Sequence, residues 1–167
     1  YNWTIKNPKL FWISVWEFSN VKGIKNDKFY FPKEIIKSKF LLESKLNYAE
    51  NLLSKNDNSK AVTFISENGY REEKSWKELN NNTLKLIKFF KDNKIKEKDR
   101  IAAYTANQIE TVESFIASSS IGAIWSSCSP DFGTQGVIER FSQIKPKLLI
   151  ITDRYYYNGK EINVLER

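Results

Sequence analysis

The sequence predicts an α/β fold in which helices connect the strands of a mainly parallel sheet. Strand-like and helix-like segments alternate from residue 100 onwards, in the order 100–105, 108–121, 124–128, 134–144 and 147–152. The runs Ile101-Ala-Ala-Tyr104 and Leu148-Leu-Ile-Ile151 are short and continuously apolar, which is typical of parallel strands that are covered on both faces. We therefore expect a βαβαβ arrangement with right-handed helix crossovers.

A hairpin and a well-marked helix are predicted before this alternating region. Ala61–Ile65 is strand-like, Asn68-Gly69 is a strong tight-turn signal, and residues 70–74 form the second arm. Ser75-Trp-Lys-Glu78 has the form of a capping box, in which two side chains satisfy backbone amides of the first helical turn. The box predicts a helix that runs to about Asp92. Its expected buried stripe consists of Trp76, Leu79, Thr83, Leu86, Ile87 and Phe90.

The N-terminal part of the chain is predicted to be a helical, aromatic-rich extension. Phe11, Trp12, Val15 and Trp16 have the spacing of a helix that packs on a core. Residues 21–45 predict an irregular segment that wraps around the domain. The apolar positions of Leu46-Asn-Tyr-Ala-Glu-Asn-Leu-Leu53 predict a short helix, which the polar residues 54–59 end. We therefore expect two parts, an extension over residues 1–55 and an α/β part over residues 56–167.

Composition and charge narrow the classes of function. The chain has 167 residues, of which 41% are hydrophobic and 14% aromatic, as expected of a globular protein. The formal charge of +7 leaves nucleic-acid binding open, but the lysines are dispersed among acidic residues, as in Lys94-Ile-Lys-Glu-Lys-Asp-Arg100. Such mixed charge favours a solvated surface, so we expect no nucleic-acid partner. No apolar run approaches the roughly 18 residues of a membrane span, and we expect no membrane partner.

Cys128 is the one cysteine of the chain, and the sequence has no histidine. An intramolecular disulfide framework is thereby excluded, and a conventional zinc site is not expected. A reducing cytoplasm is the compartment that fits best. Because Cys128 follows an apolar strand and has no histidine to activate it, we expect a small buried residue and not a nucleophile.

The segment Ala123-Ile-Trp-Ser-Ser-Cys-Ser-Pro-Asp-Phe-Gly133 is the most informative in the chain. An apolar strand ends there in a polar turn that opens a helix, and ligands of open α/β sheets bind at such turns. A turn with a helix cap and no ligand is the simpler interpretation of the local pattern. Asp131 is accordingly expected first to cap the helix that begins near Thr134, and only second to contact a ligand.

Together with Leu46–Leu53 and Arg140-Phe-Ser-Gln-Ile-Lys-Pro-Lys147, this segment closely resembles the acetoacetyl-CoA synthetases, which are adenylate-forming acid–thiol ligases. The resemblance runs in order from about Lys45 to the end, and less distinctly through the first forty residues. It implies the first part of the large AMP-binding domain of such a ligase, with ATP, Mg²⁺ and CoA required by the whole enzyme and no covalently bound cofactor. The chain begins at Tyr1 without any methionine, and we interpret it as a piece of a longer protein.

The resemblance assigns no catalytic residue to this chain. Family members hold the ATP phosphates with a Ser/Thr/Gly-rich loop that ends in Pro-Lys, bind the adenylate through a Tyr-Gly-x-Thr-Glu segment, and use a lysine near the C-terminus. None of these motifs occurs here. The implied partners are therefore the remainder of the catalytic domain, the C-terminal domain and the small-molecule substrates acetoacetate, ATP and CoA.

The resemblance does imply CoA contacts, chiefly at Tyr157, Asn158, Gly159 and Lys160. Lys160 would pair with the 3′-phosphate, Gly159 would allow close backbone approach, and Tyr157 would stack on adenine. Related acetyl-CoA synthetases have Arg-Gly-Gly-Arg there, and lysine offers a point charge in place of the planar fork of arginine. The alternative is an exposed Asn-Gly turn that binds nothing.

Ser129, Pro130 and Asp131 are the weaker candidates, because the same resemblance places them beside the pantetheine tunnel. The expected activity of the whole protein is the ligation of acetoacetate to CoA with cleavage of ATP to AMP and diphosphate. Two alternatives stay open, namely a ligase for another short-chain acid such as acetate, and a non-catalytic CoA-binding or protein-binding module.

Overall fold

The computed structural model describes residues 1–166, and within it the chain divides into two compact units after Asn51. The first unit is Tyr1–Asn51, and the second begins at Leu52. Arg167, the last residue of the predicted α/β part, lies outside the described residues.

The first unit combines short helices with short strands. Its elements are α1 (Asn2–Lys6), α2 (Pro8–Phe18), β1 (Gly23–Ile24), β2 (Lys28–Tyr30), a 3₁₀ turn (Ile35–Lys37), β3 (Lys39–Leu42), β4 (Lys45–Leu46) and α3, which begins at Tyr48 and ends at Leu52. Phe11, Trp12 and Trp16 of α2 are half-buried, whereas Phe18 is exposed, and the Trp12 ring lies 4.8 Å from the ring of Phe40, measured between centroids.

The prediction for residues 21–45 is wrong, because this segment is not irregular but contains strands. β1 pairs with β4 and β2 pairs with β3, and both pairs are antiparallel. The extension is therefore mixed and not simply helical. Each of these strands is only two to four residues long, which is too short for a period-two pattern to be recognised in the sequence. The short helix is confirmed, but Leu46 belongs to β4 and not to α3.

The second unit opens with the predicted hairpin and helix, and both are confirmed. β5 (Lys60–Ile65) pairs antiparallel with β6 (Arg71–Ser75), and Gly69 between them has a φ of 84° that suits glycine. α4 (Trp76–Asp92) follows directly. Both hydrogen bonds of the capping box are present between Ser75 and Glu78. Leu79, Thr83 and Phe90 are the buried members of the predicted stripe.

The βαβαβ arrangement is also confirmed. Its elements are β7 (Arg100–Tyr104), α5 (Ile109–Ser120), β8 (Ile124–Cys128), α6 (Thr134–Ile144) and β9 (Leu148–Ile151). The three strands form a parallel sheet in the order β8-β7-β9. Because both crossovers return beside the central strand, the carboxyl ends of β7 and β8 lie next to each other.

Burial distinguishes the central strand from its neighbours. Ile101, Ala102 and Ala103 of β7 are fully buried, whereas Leu149 and Ile151 of β9 are 45% and 43% exposed. The expectation that both runs are covered on both faces therefore holds for β7 and is wrong for β9. An apolar run indicates that a strand can be buried, but the segments that pack against each face depend on the rest of the fold.

The chain ends in a second hairpin. β10 (Arg154–Tyr157) pairs antiparallel with β11 (Lys160–Asn163) through a two-residue turn at Asn158 and Gly159. These residues have φ values of 51° and 71°. Positive φ at both central residues is what a type I′ turn requires, and it explains the Asn-Gly sequence.

Candidate functional site

The second unit contains a cleft of about 510 Å³ at the carboxyl ends of β7 and β8. Four segments line it, namely the end of the β5–β6 hairpin, the loop Ala106–Gln108 after β7, the turn Ser129–Asp131 after β8, and the strand β10. This is the position at which parallel sheets expose loop backbone to a ligand. The structure thus brings together the predicted turn after β8 and the strand β10, which are more than 20 residues apart in sequence.

The turn after β8 has a defined polar structure. The Ser129 hydroxyl donates to the Asp131 carboxylate at 2.7 Å and accepts from the Asp131 backbone N–H at 3.3 Å. The Tyr155 hydroxyl of β10 donates to the other carboxylate oxygen of Asp131 at 2.7 Å. Asp131 therefore accepts hydrogen bonds both from its own turn and from strand β10.

Tyr104, the last residue of β7, also supports this turn. Its buried hydroxyl lies 2.8 Å from the carbonyl oxygen of Pro130 and 2.8 Å from that of Phe132. Pro130 is itself fully buried, and the Arg140 guanidinium of α6 stacks over the Phe132 ring at 4.3 Å. These contacts fix the turn, because buried carbonyl groups that have a donor are costly to displace.

Helix α6 begins with Gly133 at its N-cap, so the expectation that Asp131 occupies the cap position is wrong. Asp131 lies two residues before that position, and its carboxylate bonds to Tyr155 and Ser129. Sequence spacing placed an acidic residue near the helix start. It gave no information about Tyr155, which arrives 24 residues later in the chain.

The hairpin β5–β6 supplies an aromatic wall that the sequence analysis did not associate with a site. Phe64 and Tyr70 line the cleft, and their ring centroids are 6.3 Å apart. A hydrogen bond from the Tyr70 hydroxyl to Glu72 raises the pKa of that phenol, so Tyr70 faces the cleft as a neutral ring. The Asn-Gly turn predicted the hairpin, but nothing in its sequence indicates which surface the hairpin faces.

Polar groups are distributed around the cleft. Asn107 and Gln108 line it from the loop after β7, and the Thr111 hydroxyl donates to the Ala106 carbonyl at 2.8 Å to support that loop. Arg154 lines the side formed by β10, where hydrogen bonding to Glu161 raises the pKa of its guanidinium. Aromatic faces with a few polar groups are typical of pockets for small organic ligands.

The principal predicted site residues fall into two groups. Tyr157 lines the cleft and is 53% exposed, which leaves its ring available to a ligand. Asn158, Gly159 and Lys160 are exposed in the hairpin turn and do not line the cleft. Ser129, Pro130 and Asp131, the weaker candidates, all line it. The structure thus joins Tyr157 to the weaker set and leaves the Asn-Gly turn outside.

Cys128 is buried at the end of β8, and this burial raises the pKa of its thiol. A thiol in that state is a poor nucleophile, so the expectation of a small buried residue is confirmed. Among residues 1–166, no group of three or more His, Cys, Asp or Glu side chains is arranged to hold a metal ion. Within the same part of the chain, no helix is both long and apolar enough to cross a membrane.

Comparison with known proteins gives a consistent result. An acetoacetyl-coenzyme A synthetase of Rhizobium meliloti (strain 1021) is 40% identical over 165 residues, which are 98% of this chain and 25% of that protein. An acetoacetyl-CoA synthetase of Xenopus tropicalis is 40% identical over the whole chain and 26% of its own length. The chain therefore spans about a quarter of the length of the curated relatives it matches.

A solved structure has the same fold. The acetoacetyl-CoA synthetase from Streptomyces lividans superimposes with a TM-score of 0.87 over 99% of this chain and 26% of that chain, at 26% sequence identity. More distantly, a malonamoyl-CoA synthetase of Penicillium aethiopicum is 30% identical over the whole chain and 24% of its own length. The parallel sheet and the cleft at its carboxyl edge thus occur in a fold that a known acyl-CoA synthetase shares.

The family model described as AMP-binding enzyme matches residues 50–166, which comprise most of the chain and contain every wall of the cleft. Ligases of this kind use ATP, Mg²⁺ and CoA. The chain therefore belongs to the AMP-binding enzyme family.

Proposed function

We propose that this chain is the N-terminal portion of an acetoacetate–CoA ligase. The whole protein would convert ATP, acetoacetate and CoA to AMP, diphosphate and acetoacetyl-CoA. The observation that carries the proposal is the similarity, over the full length of this chain, to relatives named acetoacetyl-CoA synthetase at 36–40% identity. We further propose that the protein is cytoplasmic and that its immediate partners are the remainder of the catalytic domain and the C-terminal domain.

The reaction has two steps, and the chain's own residues bear on the second. In the first step the acid attacks the α-phosphate of ATP, which forms an acyl-adenylate and releases diphosphate. In the second step the CoA thiol attacks the acyl carbon and AMP leaves. Because the sequence lacks the family's ATP motifs, we assign the first step to segments beyond this chain.

We assign the CoA side of the site to the cleft and its rim. Tyr157 offers an exposed ring on which adenine can stack, and Ser129, Pro130 and Asp131 form a wall suited to the narrow pantetheine arm. Gly159 and Lys160 lie outside the cleft, one turn further along the hairpin. That position suits a contact with the peripheral 3′-phosphate, with Gly159 giving backbone access and Asn158 completing the turn.

The division into an extension over 1–55 and an AMP-binding part over 56–167 remains our proposal for the organisation of the parent. The division of the chain into units after Asn51 and the family match from residue 50 support a boundary in this region.

The proposal is tested with the full-length protein that carries this chain. AMP formation that depends on both CoA and acetoacetate is the expected result, with acetate and malonamate as competing acids. A preference for acetate or malonamate would support a ligase of the same class but contradict acetoacetate as its substrate. CoA binding without AMP formation from any acid would instead favour the non-catalytic module.

The role of Lys160 is tested separately by comparing CoA with dephospho-CoA, which lacks the 3′-phosphate. If Lys160 pairs with that phosphate, Lys160→Ala raises KM for CoA about five-fold and leaves KM for dephospho-CoA unchanged. Lys85→Ala, at an exposed position of α4, is the matched control and changes neither. An equal rise for both ligands would remove the phosphate contact from the proposal.

A further inference from the structure

The hydroxyl of Tyr155 connects two segments of the cleft lining. It reaches from β10 to the carboxylate of Asp131 on the turn after β8, at 2.7 Å. The two residues are 24 positions apart and lie on different elements. Their bond therefore fixes the distance between two segments of the cleft lining.

The turn itself has a second, independent support. Tyr104 holds its backbone from the central strand through the carbonyl oxygens of Pro130 and Phe132. Ser129 and Asp131 bond to each other within the turn. Tyr155 therefore adds what Tyr104 does not supply, because it acts on the side chain of Asp131 and from a different element, β10.

The orientation of Asp131 matters for a cofactor as acidic as CoA. A carboxylate that turned into the cleft would repel the phosphates of the ligand, whereas hydroxyl donors draw its charge towards Tyr155 and Ser129. Because a phenol that donates a hydrogen bond is uncharged, Tyr155 holds the carboxylate without adding a charge to the cleft. The bond thus both sets the width of the cleft and directs the negative charge of Asp131.

We propose that Tyr155 is a positioning residue for CoA, which acts through Asp131 to hold the turn Ser129–Asp131 as a wall of the cleft. The inference rests on the proposed function, since it deepens the role of the same site. Tyr155 does not need to touch the reacting atoms. Its effect is therefore expected in the thiol-transfer step and not in adenylate formation.

The test uses Tyr155→Phe in the full-length protein, because this substitution removes the hydroxyl and keeps the ring. We expect KM for CoA to rise about five-fold to ten-fold, which is the size expected for the loss of one hydrogen bond of typical net strength. We expect ATP–diphosphate exchange with acetoacetate in the absence of CoA to be unchanged. A merely structural role would lower both activities together.

A double-mutant cycle identifies Asp131 as the residue through which Tyr155 acts. Tyr155→Phe is expected to raise KM for CoA in the wild-type background and to have no further effect in an Asp131→Ala background. Tyr30→Phe, which removes an exposed phenol hydroxyl from the first unit, is the control and leaves all parameters unchanged. Amide hydrogen exchange should increase in residues 129–133 and 154–157 but not in β7.

Three results would overturn the inference while leaving the proposed function intact. These are an unchanged KM for CoA in Tyr155→Phe, an equal fold-increase in the wild-type and Asp131→Ala backgrounds, or an equal loss in diphosphate exchange. If the wild-type protein forms no AMP from any acid and binds no CoA, the proposed function fails and the inference fails with it.

Discussion

Two turns of the second unit were both expected to contact CoA, and the structure builds them very differently. The turn Ser129–Asp131 lines the cleft and is held by Tyr104 of β7 and by Tyr155 of β10. The turn at Asn158 and Gly159 is exposed, joins β10 to β11, and has the backbone geometry of a type I′ turn. One turn is fixed by tertiary contacts, and the other is fixed by local conformation alone.

The difference indicates a division of roles within one binding site. A wall that several long-range hydrogen bonds support keeps its shape without a ligand, which is what preorganised recognition needs. An exposed hairpin turn costs little to form but can offer only peripheral contacts. We therefore expect substitutions that affect the turn Ser129–Asp131 to alter the stability of the whole unit, and substitutions at Asn158 and Gly159 to alter only the β10–β11 hairpin.

The largest effect is expected for Tyr104→Ala. It removes a buried aromatic side chain together with the donor that serves Pro130 and Phe132, and we expect a loss of about 3–5 kcal/mol in unfolding free energy. Tyr104→Phe, which removes the hydroxyl alone, should cost about 1–3 kcal/mol. Denaturant titration of both variants measures the difference. Equal stability of Tyr104→Phe and wild type would mean that the turn does not depend on this bond.

A smaller effect is expected at the second turn. Gly159 has a φ of 71°, and a Cβ at this position would meet open space, so the whole cost of Gly159→Ala is conformational. We expect a loss of about 1–2 kcal/mol confined to the β10–β11 hairpin. Gly136→Ala, inside helix α6, is the matched substitution and should gain about 0.5–1 kcal/mol. Hydrogen exchange resolves where the loss occurs, and exchange that also increases in β8 would contradict local behaviour.

A change within the first turn tests its polar structure. Ser129→Ala removes the hydroxyl that bonds both the carboxylate and the backbone N–H of Asp131, and we expect a loss of about 0.5–1.5 kcal/mol. Ser129→Thr keeps the hydroxyl and should recover most of the stability. Thermal unfolding of the two variants measures the effect. Failure of the threonine variant to recover stability would assign the effect to packing.

The smallest effect concerns the β5–β6 hairpin, which supplies the aromatic wall of the cleft. Hydrogen bonds from Lys60 and Arg71 lower the pKa of Glu73 to about 2, so the folded state favours its ionised form. The stabilisation is therefore present above about pH 4.5 and is lost as the pH falls towards 2. Glu73 is exposed, and we expect only a slight shift in melting temperature for Glu73→Gln at pH 7 that shrinks in high salt. Glu67→Gln is the control, and a shift at pH 2 as large as the shift at pH 7 would contradict the pairing.

Much of the fold could be predicted because local patterns and tertiary structure agree. The Asn68-Gly69 turn, the Ser75–Glu78 capping box and the apolar run of β7 each specify an element by short-range physics. The β strands of the first unit were missed because segments of two to four residues carry weak signals. The exposed face of β9 was missed because an apolar run does not indicate which segments pack against each face of the strand.

The candidate site was predicted only in part, for a related reason. The turn after β8 could be recognised from its polar residues after an apolar strand, and Tyr157 from the resemblance to known ligases. The aromatic wall of Phe64 and Tyr70 and the bond between Tyr155 and Asp131 could not. No spacing in a sequence specifies a contact between elements that the chain brings together only after folding.

The sequence by itself determined the order of the elements, the parallel sheet and the family to which the chain belongs, since these depend on residue types at short spacing and on ordered motifs. Tertiary structure alone decided that Asp131 bonds to Tyr155 instead of occupying the N-cap of α6, and that the Asn158-Gly159 turn lies outside the cleft. The physical reason is that a side chain takes the best partner within reach, and which partners are within reach is set by the packing of distant segments.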